Sequence, residues 1–192
     1  MVNIAIFVSG NGTNCENIIR YFQESNIVRT ALVVSNREDA YAIARAQRLK
    51  VPTVVLNKKQ FNNPDVILPI LQKYCIEFIV LAGFLLIVPE FIIEKYNRKI
   101  INLHPALLPK YGGIGMYGHH VHEAVKKAGE KQTGMTVHYV SPECDAGEII
   151  AQFAVDIDDS DSPDDIARKE NQLEMNFFPA IIKDVIVKTF NL

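Results

Sequence analysis

The chain has 192 residues, of which 48% are hydrophobic and 22% are charged, with a formal net charge of -2. These values are typical of one folded domain with a large core. General nucleic-acid binding requires a basic surface, and the negative net charge and the absence of a long Lys/Arg run argue against it, so a small-molecule ligand is expected. Three widely spaced cysteines without a CxxC motif exclude a disulfide scaffold and a zinc finger, and the lack of a leader-like or membrane-length apolar segment predicts a cytoplasmic protein without a membrane anchor.

Strands and helices alternate along the first hundred residues. The apolar run at residues 3–8 predicts a buried parallel strand, and apolar positions at helical spacing from 15 to 22 predict a helix after it. Further strands are predicted at 31–35, 53–56 and 78–82, further helices at 39–49, 66–74 and 90–96, and a polar loop at 57–64. This alternation predicts an α/β fold with a Rossmann-like, mostly parallel twisted sheet flanked by helices.

The turn after the first strand, residues 10–14, is rich in glycine and leads into a helix. Its backbone N–H groups and the helix dipole favour a phosphate group. The third glycine of the dinucleotide-binding fingerprint is absent, and no P-loop lysine follows. The residues alone therefore leave two interpretations open, a phosphate cradle and a plain strand-to-helix turn.

An apolar segment, residues 84–88, follows the strand at 78–82 and ends at Pro89. Apolar side chains at a strand tip suit the rim of a site for a flat aromatic ligand. Packing into the core is the more common role of such residues, and it is the one that the residues alone favour.

The segment at 100–104 predicts a strand whose last residues carry Asn102 and His104. Because side chains alternate along a strand, both polar groups lie on one face, and Pro105 ends the strand directly after them. Ligands of open α/β sheets bind at such carboxyl ends. The glycine-rich residues 112–118 are then predicted as a mobile loop beside the site.

A helix is predicted to begin with His119, His120 and His122. Their spacing does not bring all three to one face, and no cysteine or acidic ligand is matched to them. We therefore favour capping, loop contacts or solvent exposure over a metal site.

Two strands at 134–140 and 148–155 are predicted to form an antiparallel pair at the sheet edge, joined by a turn that carries Asp145. By itself, Asp145 is most simply a helix cap or a solvated turn residue. Its neighbour Cys144 is not expected to be a nucleophile, because nothing local lowers the pKa of its thiol.

The last helix is predicted to open with Ser162 as N-cap and Pro163 at its first position. Asn171 and Glu174 are predicted to lie beside its buried stripe. The stripe itself is predicted from apolar residues that recur every four positions: Leu173, Phe177, Ile181 and Val185. No linker or repeat interrupts the chain, so residues 1–192 are predicted to form a single domain.

The polar residues at the strand tip suit acyl transfer through an oxyanion. Asn102 supplies an amide donor, His104 donates or accepts a proton near neutral pH, and a nearby Asp145 favours the imidazolium form. Since no activated serine or cysteine lies in the same stretch, direct attack by a substrate amine is more plausible than a covalent enzyme intermediate.

Several motifs, in chain order over nearly the whole sequence, resemble the folate-dependent formyltransferases, and the turn at 9–14 resembles their glycinamide ribonucleotide branch, the phosphoribosylglycinamide formyltransferases. These motifs are FVSGNGTN at 7–14, VLAGF at 80–84, INLHPALLPKY at 101–111, TVHYV at 136–140 and the later Asp145. The resemblance implies the formyltransferase fold, with an antiparallel edge pair, and transfer of a formyl group from 10-formyltetrahydrofolate to the amine of glycinamide ribonucleotide in purine biosynthesis, without a metal.

The resemblance also implies roles for particular residues. His104 is implied as proton donor and oxyanion partner, Asn102 as a second oxyanion donor, and Asp145 as the group that raises the pKa of His104 and orders water. The implied ribonucleotide-binding residues are Gly12, Thr13, Asn14, Asn171, Gln172, Leu173 and Glu174. The implied folate-binding residues are Leu85, Leu86, Ile87, Val88, Asn102, Ser141, Pro142, Glu143, Cys144 and Asp145.

Two departures from the family pattern are visible. Many relatives carry arginine at the position of Leu86 and near Pro64, and this chain has neither, which leaves the binding of the folate glutamate tail open. The segment 112–120 is also longer than the corresponding loop of many members.

The alternatives are a formyltetrahydrofolate hydrolase, which shares the Asn, His and Asp, and a nucleotide-binding module without catalysis. The partners implied are small molecules only, with the protein a monomer or homodimer.

Overall fold

The computed structural model describes residues 1–192 and contains one seven-stranded sheet. The strands are β1 (Val2–Val8), β2 (Val28–Ser35), β3 (Thr53–Val55), β4 (Phe78–Leu81), β5 (Ile100–His104), β6 (Gln132–Tyr139) and β7 (Ile149–Asp156). The helices are α1 (Thr13–Tyr21), α2 (Tyr41–Arg48), α3 (Lys58–Phe61), α4 (Pro64–Lys73), α5 (Glu90–Lys95), α6 (His119–Lys127) and α7 (Pro163–Phe190). None of the seven helices combines the length and the hydropathy that a membrane span requires.

The strand order across the sheet is β3-β2-β1-β4-β5-β6-β7. The first five of these strands are parallel, and β6 and β7 are each antiparallel to the preceding strand. The predicted α/β fold with an antiparallel pair at one edge is therefore confirmed. Because β1, β4 and β5 are parallel neighbours, their carboxyl ends meet at the same edge of the sheet.

The sheet is covered on both faces, which explains why the sequence of its inner strand β1 is a nearly continuous apolar run. In β1, Ile4, Ile6 and Val8 pack in one buried core cluster, and Ala5 and Phe7 pack in the other. Alternate side chains of a strand point to opposite faces, so each cluster fills one side of the sheet.

The prediction of a plain loop at 57–64 is wrong, because a short helix, α3, lies within it. Asn57 accepts a hydrogen bond from the N–H of Gln60, and the Gln60 side chain accepts one from the N–H of Asn57. This reciprocal capping satisfies donors that a short polar segment would otherwise leave to water. Phe61, at the end of α3, is fully buried.

The opening of α7 is as predicted, with a reciprocal cap between Ser162 and Asp165. The predicted buried stripe is wrong for most of its members: Val185 is buried, but Leu173 and Ile181 are only partly buried, and Phe177 is 37% exposed and stacks on the ring of Phe153. The buried face instead contains Ile166, Glu170, Glu174, Phe178, Ile182 and Ile186. Because apolar residues lie on several sides of α7, its contacts with the rest of the fold decide which face is buried. Glu174 was predicted to lie beside the buried stripe, but it lies on the buried face.

Candidate active site

A cavity of about 840 Å³ lies where the carboxyl ends of β1, β4 and β5 meet the side of α7. The glycine-rich turn after β1, the apolar segment after β4 and the end of β5 all line it, as does the loop that carries Asp145. No lysine or arginine is among the residues that line this cavity. Its charged and titratable side chains are therefore carboxyl, imidazole, phenol and thiol groups only.

The end of β5 places His104 in the wall of the cavity, where it is 3% exposed. Its Nε2 lies 2.7 Å from the backbone carbonyl of Tyr111, and because a carbonyl only accepts, Nε2 carries the hydrogen. The other ring nitrogen, Nδ1, lies 3.5 Å from Oδ2 of Asp145. Nδ1 is thus the nitrogen that gains or loses a proton.

Asp145 reaches this histidine from a loop that returns over β6. Its backbone is in the left-handed region, at φ 55°, and the N–H of Gly113 donates to Oδ2 at 2.9 Å. Two residues on, Gly147 passes so close to the carbonyl of Tyr139 that a Cβ would lie 1.7 Å from that oxygen. Only glycine allows this close passage, which brings Asp145 over the strand tip.

His138 is a site residue that the sequence predictions did not include. It pairs with Asn102 across the antiparallel strands β5 and β6. Its Nδ1 donates to the carbonyl of Tyr139 at 2.9 Å, so Nε2 accepts from the amide nitrogen of Asn102 at 3.1 Å. The alternation of residues 134–140 already placed this histidine on the same face as Thr136, but only the strand register shows which residue of β5 it meets.

The Asn102 amide therefore has two neighbours in the site. Besides His138, its nitrogen faces Oδ1 of Asp145 at 3.4 Å, a long and weak contact. That carboxylate oxygen also lies 3.5 Å from Nε2 of His138. A developing oxyanion that replaced the 3.4 Å contact would receive a hydrogen bond from Asn102, which His138 holds in place.

Burial and charge set opposite tendencies for the two titratable groups at the centre. Burial alone would raise the pKa of Asp145, but the close approach of the His138 ring, the hydrogen bond from the N–H of Gly113 and the nearby His104 imidazole hold that pKa below its usual value. Burial lowers the pKa of His104 below 6.5, although the Asp145 charge and the Tyr111 carbonyl act to raise it. Asp145 thus acts on the pKa of His104 in the predicted direction, but desolvation outweighs the carboxylate and leaves that pKa lowered.

The glycine-rich turn supplies the other end of the cavity, with Gly12, Thr13 and Asn14 in its wall. Gly12 has φ 76°, and a Cβ there would lie 2.4 Å from Cβ of Ala42. The helix α1 begins at Thr13, so its first N–H groups have no acceptor within the helix. Backbone donors at a helix start form an anion site that needs no basic side chain.

The apolar segment after β4 also lines the cavity, with all four of Leu85, Leu86, Ile87 and Val88. Leu85 is 47% exposed and Ile87 61% exposed, so the core-packing interpretation is wrong for these two, whereas it holds for the buried Val88 and for Phe84 and Leu86, which pack partly buried against a core cluster. The N–H of Leu85 donates to the Ser9 hydroxyl at 2.8 Å, which ties the segment to the end of β1.

Most of the remaining predicted site residues line the same cavity, and three do not. Ser141, Pro142, Cys144, Asn171 and Glu174 are in its wall, whereas Glu143, Gln172 and Leu173 are not. Burial raises the pKa of the Cys144 thiol, which argues against a thiolate nucleophile there. The lining residues that were not predicted as site residues include two buried titratable ones on the last two helices, His122 and Glu170.

The three histidines of α6 do not act together. His119 and His120 are exposed and face Glu123 at the surface, whereas His122 is buried and lines the cavity. The expectation of solvent exposure or capping is therefore wrong for His122. The helix turns it inward because α6 packs on α7.

Comparison with known proteins places this geometry in a family. Residues 2–182 match the family described as formyl transferase. The phosphoribosylglycinamide formyltransferase of Haemophilus influenzae is 36% identical over 95% of this chain and 86% of its own length, and that of Bacillus subtilis is 35% identical over 97% and 95%.

Solved structures show the same similarity. The crystal structure of phosphoribosylglycinamide formyltransferase from Anaplasma phagocytophilum superposes with a TM-score of 0.88 at 33% identity, covering 97% of this chain and 88% of that one. The enzyme from Bacillus halodurans gives 0.87 at 32% identity, covering 99% and 98%. A family match over nearly the whole length, with this agreement in fold, shows that the chain belongs to the formyl transferase family.

Proposed function

We propose that this protein transfers the formyl group of 10-formyltetrahydrofolate to the amine of glycinamide ribonucleotide. The main observation behind the proposal is that Asn102, His104 and Asp145 lie together in one cavity. The glycine-rich turn at 10–14, whose backbone donors suit an anion, lines the same cavity. Relatives named phosphoribosylglycinamide formyltransferase, similar over nearly the whole chain, support the same activity.

The two substrates have separate places in the cavity. The phosphate of the ribonucleotide lies on the backbone of Gly12, Thr13 and Asn14, with the ribose near Glu174. The folate ring lies between the apolar segment at 85–88 and the loop at 141–145. This arrangement brings the amine and the formyl carbon together beside the tip of β5, and holding both reactants in place supplies much of the rate enhancement.

His104 acts first as a base and then as an acid. Because burial keeps its pKa low, it rests neutral, with a free Nδ1 beside Asp145. The amine forms a bond to the formyl carbon, the carbonyl oxygen becomes an oxyanion that Asn102 stabilises, and the amine proton passes to Nδ1. The imidazolium, stabilised by Asp145, then gives that proton to the folate nitrogen as its bond to carbon breaks.

The wider setting belongs to the same proposal. Both substrates are small molecules, formyl folate is a co-substrate, and no step needs a metal. Residues 1–192 act as a single domain, as a monomer or homodimer in the cytoplasm.

The decisive experiment gives the purified protein 10-formyltetrahydrofolate with and without glycinamide ribonucleotide. Formation of tetrahydrofolate and formylated ribonucleotide only when both are present is the expected result. Folate turnover that does not depend on the ribonucleotide would instead identify a hydrolase. Binding of the ribonucleotide without any turnover would identify a nucleotide-binding module.

A further inference from the structure

Two carboxyl groups lie side by side in the wall of the cavity. Glu170 and Glu174 are one helical turn apart on α7, are only 3% and 8% exposed, and both line the cavity. The residues one turn before and one turn after the pair, Ile166 and Phe178, are buried as well, so the two carboxyl groups interrupt a buried apolar face of α7. Residues one turn apart face the same way, so the two carboxyl groups are neighbours.

Their hydrogen bonds are unequal. Oε2 of Glu174 accepts from the side-chain amides of Asn14 at 2.7 Å and Asn171 at 3.0 Å. Oε1 of Glu170 is buried and has no hydrogen-bond partner. Amide donors of this kind stabilise a charged carboxylate, so Glu174 is the member of the pair that is fitted to carry the charge.

No lysine or arginine lines the cavity beside the pair, and no cation is among the groups that shift the pKa of Glu170. The other titratable groups that line the cavity are His104, Tyr117, His122, His138, Cys144 and Asp145. His122 comes from α6, which packs on α7, and burial lowers its pKa, so it is neutral at physiological pH. Two buried carboxylates without a cation between them are unfavourable, and such pairs keep one proton.

We propose that Glu170 keeps this proton in the working enzyme and is a positioning residue for the ribonucleotide, because its carboxyl group donates to Glu174 and leaves only one negative charge at that end of the cavity. The inference rests on the proposed function for the identity of the ligand. Burial, the charge of Glu174 and a hydrogen bond with Glu174 all raise the pKa of Glu170 well above its usual value.

The consequence concerns the phosphate. The anion site at Gly12–Asn14 relies on backbone donors, and Asn14 joins it directly to Glu174. With no lysine or arginine in the wall, a second carboxylate charge would repel the phosphate without compensation. We therefore expect the affinity for the ribonucleotide to decrease as pH rises and Glu170 ionises, and the affinity for folate to stay unchanged.

The kinetic test compares the wild type with Glu170→Gln and Glu170→Leu across pH. Glutamine is neutral and still donates to Glu174, so the ribonucleotide KM of Glu170→Gln should equal that of the wild type near neutral pH. At alkaline pH the ribonucleotide KM of the wild type should increase, and that of Glu170→Gln should not. Leucine is neutral but cannot donate, so it should raise that KM roughly tenfold at all pH values, with a much smaller effect on kcat and on folate KM. Asp184→Asn, an exposed charge on the same helix, is the control.

A second readout does not depend on turnover. The infrared absorption of a protonated carboxyl group should be present in the wild type at neutral pH and in Asp184→Asn, and absent from Glu170→Gln. Absence of this band from the wild type would overturn the proposal, as would identical pH profiles for wild type and Glu170→Gln. If no protein turned over the ribonucleotide, the proposed function would fail, and the infrared band would still decide whether Glu170 holds a proton.

Discussion

The two ends of the cavity are built in different ways. The anion turn at 10–14 is made by the backbone of one continuous segment, with a glycine where the chain passes Ala42 and a helix that starts immediately after it. The centre at Asn102, His104, His138 and Asp145 is made by side chains from two antiparallel strands and a returning loop.

This difference predicts different sensitivities. In the turn, backbone N–H groups are proposed to bind the phosphate, so a steric change that alters the backbone conformation should affect both stability and ribonucleotide affinity. At the centre, the side chains carry the chemistry, so removing a single group should affect the rate more than the fold. The predictions below test this contrast.

The largest effect is expected from His104→Ala. Loss of the group that receives and returns the proton should lower kcat by about 10³-fold or more, with ribonucleotide KM within a few-fold of the wild type. Steady-state kinetics with both substrates measure this, with the exposed His120→Ala as the control. Turnover close to that of the wild type would remove His104 from the mechanism.

Asp145→Asn should lower kcat by about 10²-fold, because the imidazolium of His104 loses its stabilising charge. The pH profile gives the sign. His104 must be neutral at rest, so kcat/KM falls as pH drops through its pKa, which lies below 6.5 in the wild type. Without Asp145 that pKa falls further, and the acid limb of the profile should move to lower pH. A shift to higher pH would contradict this account.

Gly12→Ala should cost about 1–3 kcal/mol in the free energy of unfolding, because the new Cβ would meet Ala42 at 2.4 Å in a left-handed backbone conformation. It should also raise ribonucleotide KM more than folate KM. Urea unfolding and kinetics measure the two effects. Gly10→Ala is the matched control, since a Cβ there has nothing within 4 Å, and equal results for both variants would refute the steric explanation.

The smallest effect is expected from Glu170→Gln on stability below pH 4.5, because glutamine there replaces a group that is uncharged in both the folded and the unfolded chain. The folded-state pKa of Glu170 is raised above 4.5, so its contribution to stability is complete below that pH and is lost as pH rises through the folded pKa. The variant should therefore gain stability relative to the wild type as pH increases over this range. A difference independent of pH, measured by urea unfolding, would show that Glu170 is not protonated.

Parts of this molecule were predictable because they depend on neighbours in sequence. The apolar run of β1, the cap of α7 and the shared face of Asn102 and His104 all follow from local periodicity and from residues that begin or end elements. The apolar segment at 85–88 was less predictable, since its residues alone favour packing into a core over a place at a ligand rim. Nothing local says that Leu85 and Ile87 are left exposed at a cavity.

Tertiary structure decided the rest. Whether His138 meets Asn102 depends on the register between β5 and β6, and a shift of one residue would turn it to the other face. Which side of α7 is buried depended on what the helix packs against, and that choice placed Glu170 and Glu174 in the cavity wall. The sequence by itself determined the order of elements and the chemistry available, because propensity and periodicity act over a few residues. The protonation of the groups at the site depended on burial and on partners distant in the chain, which exist only once the sheet and α7 have come together.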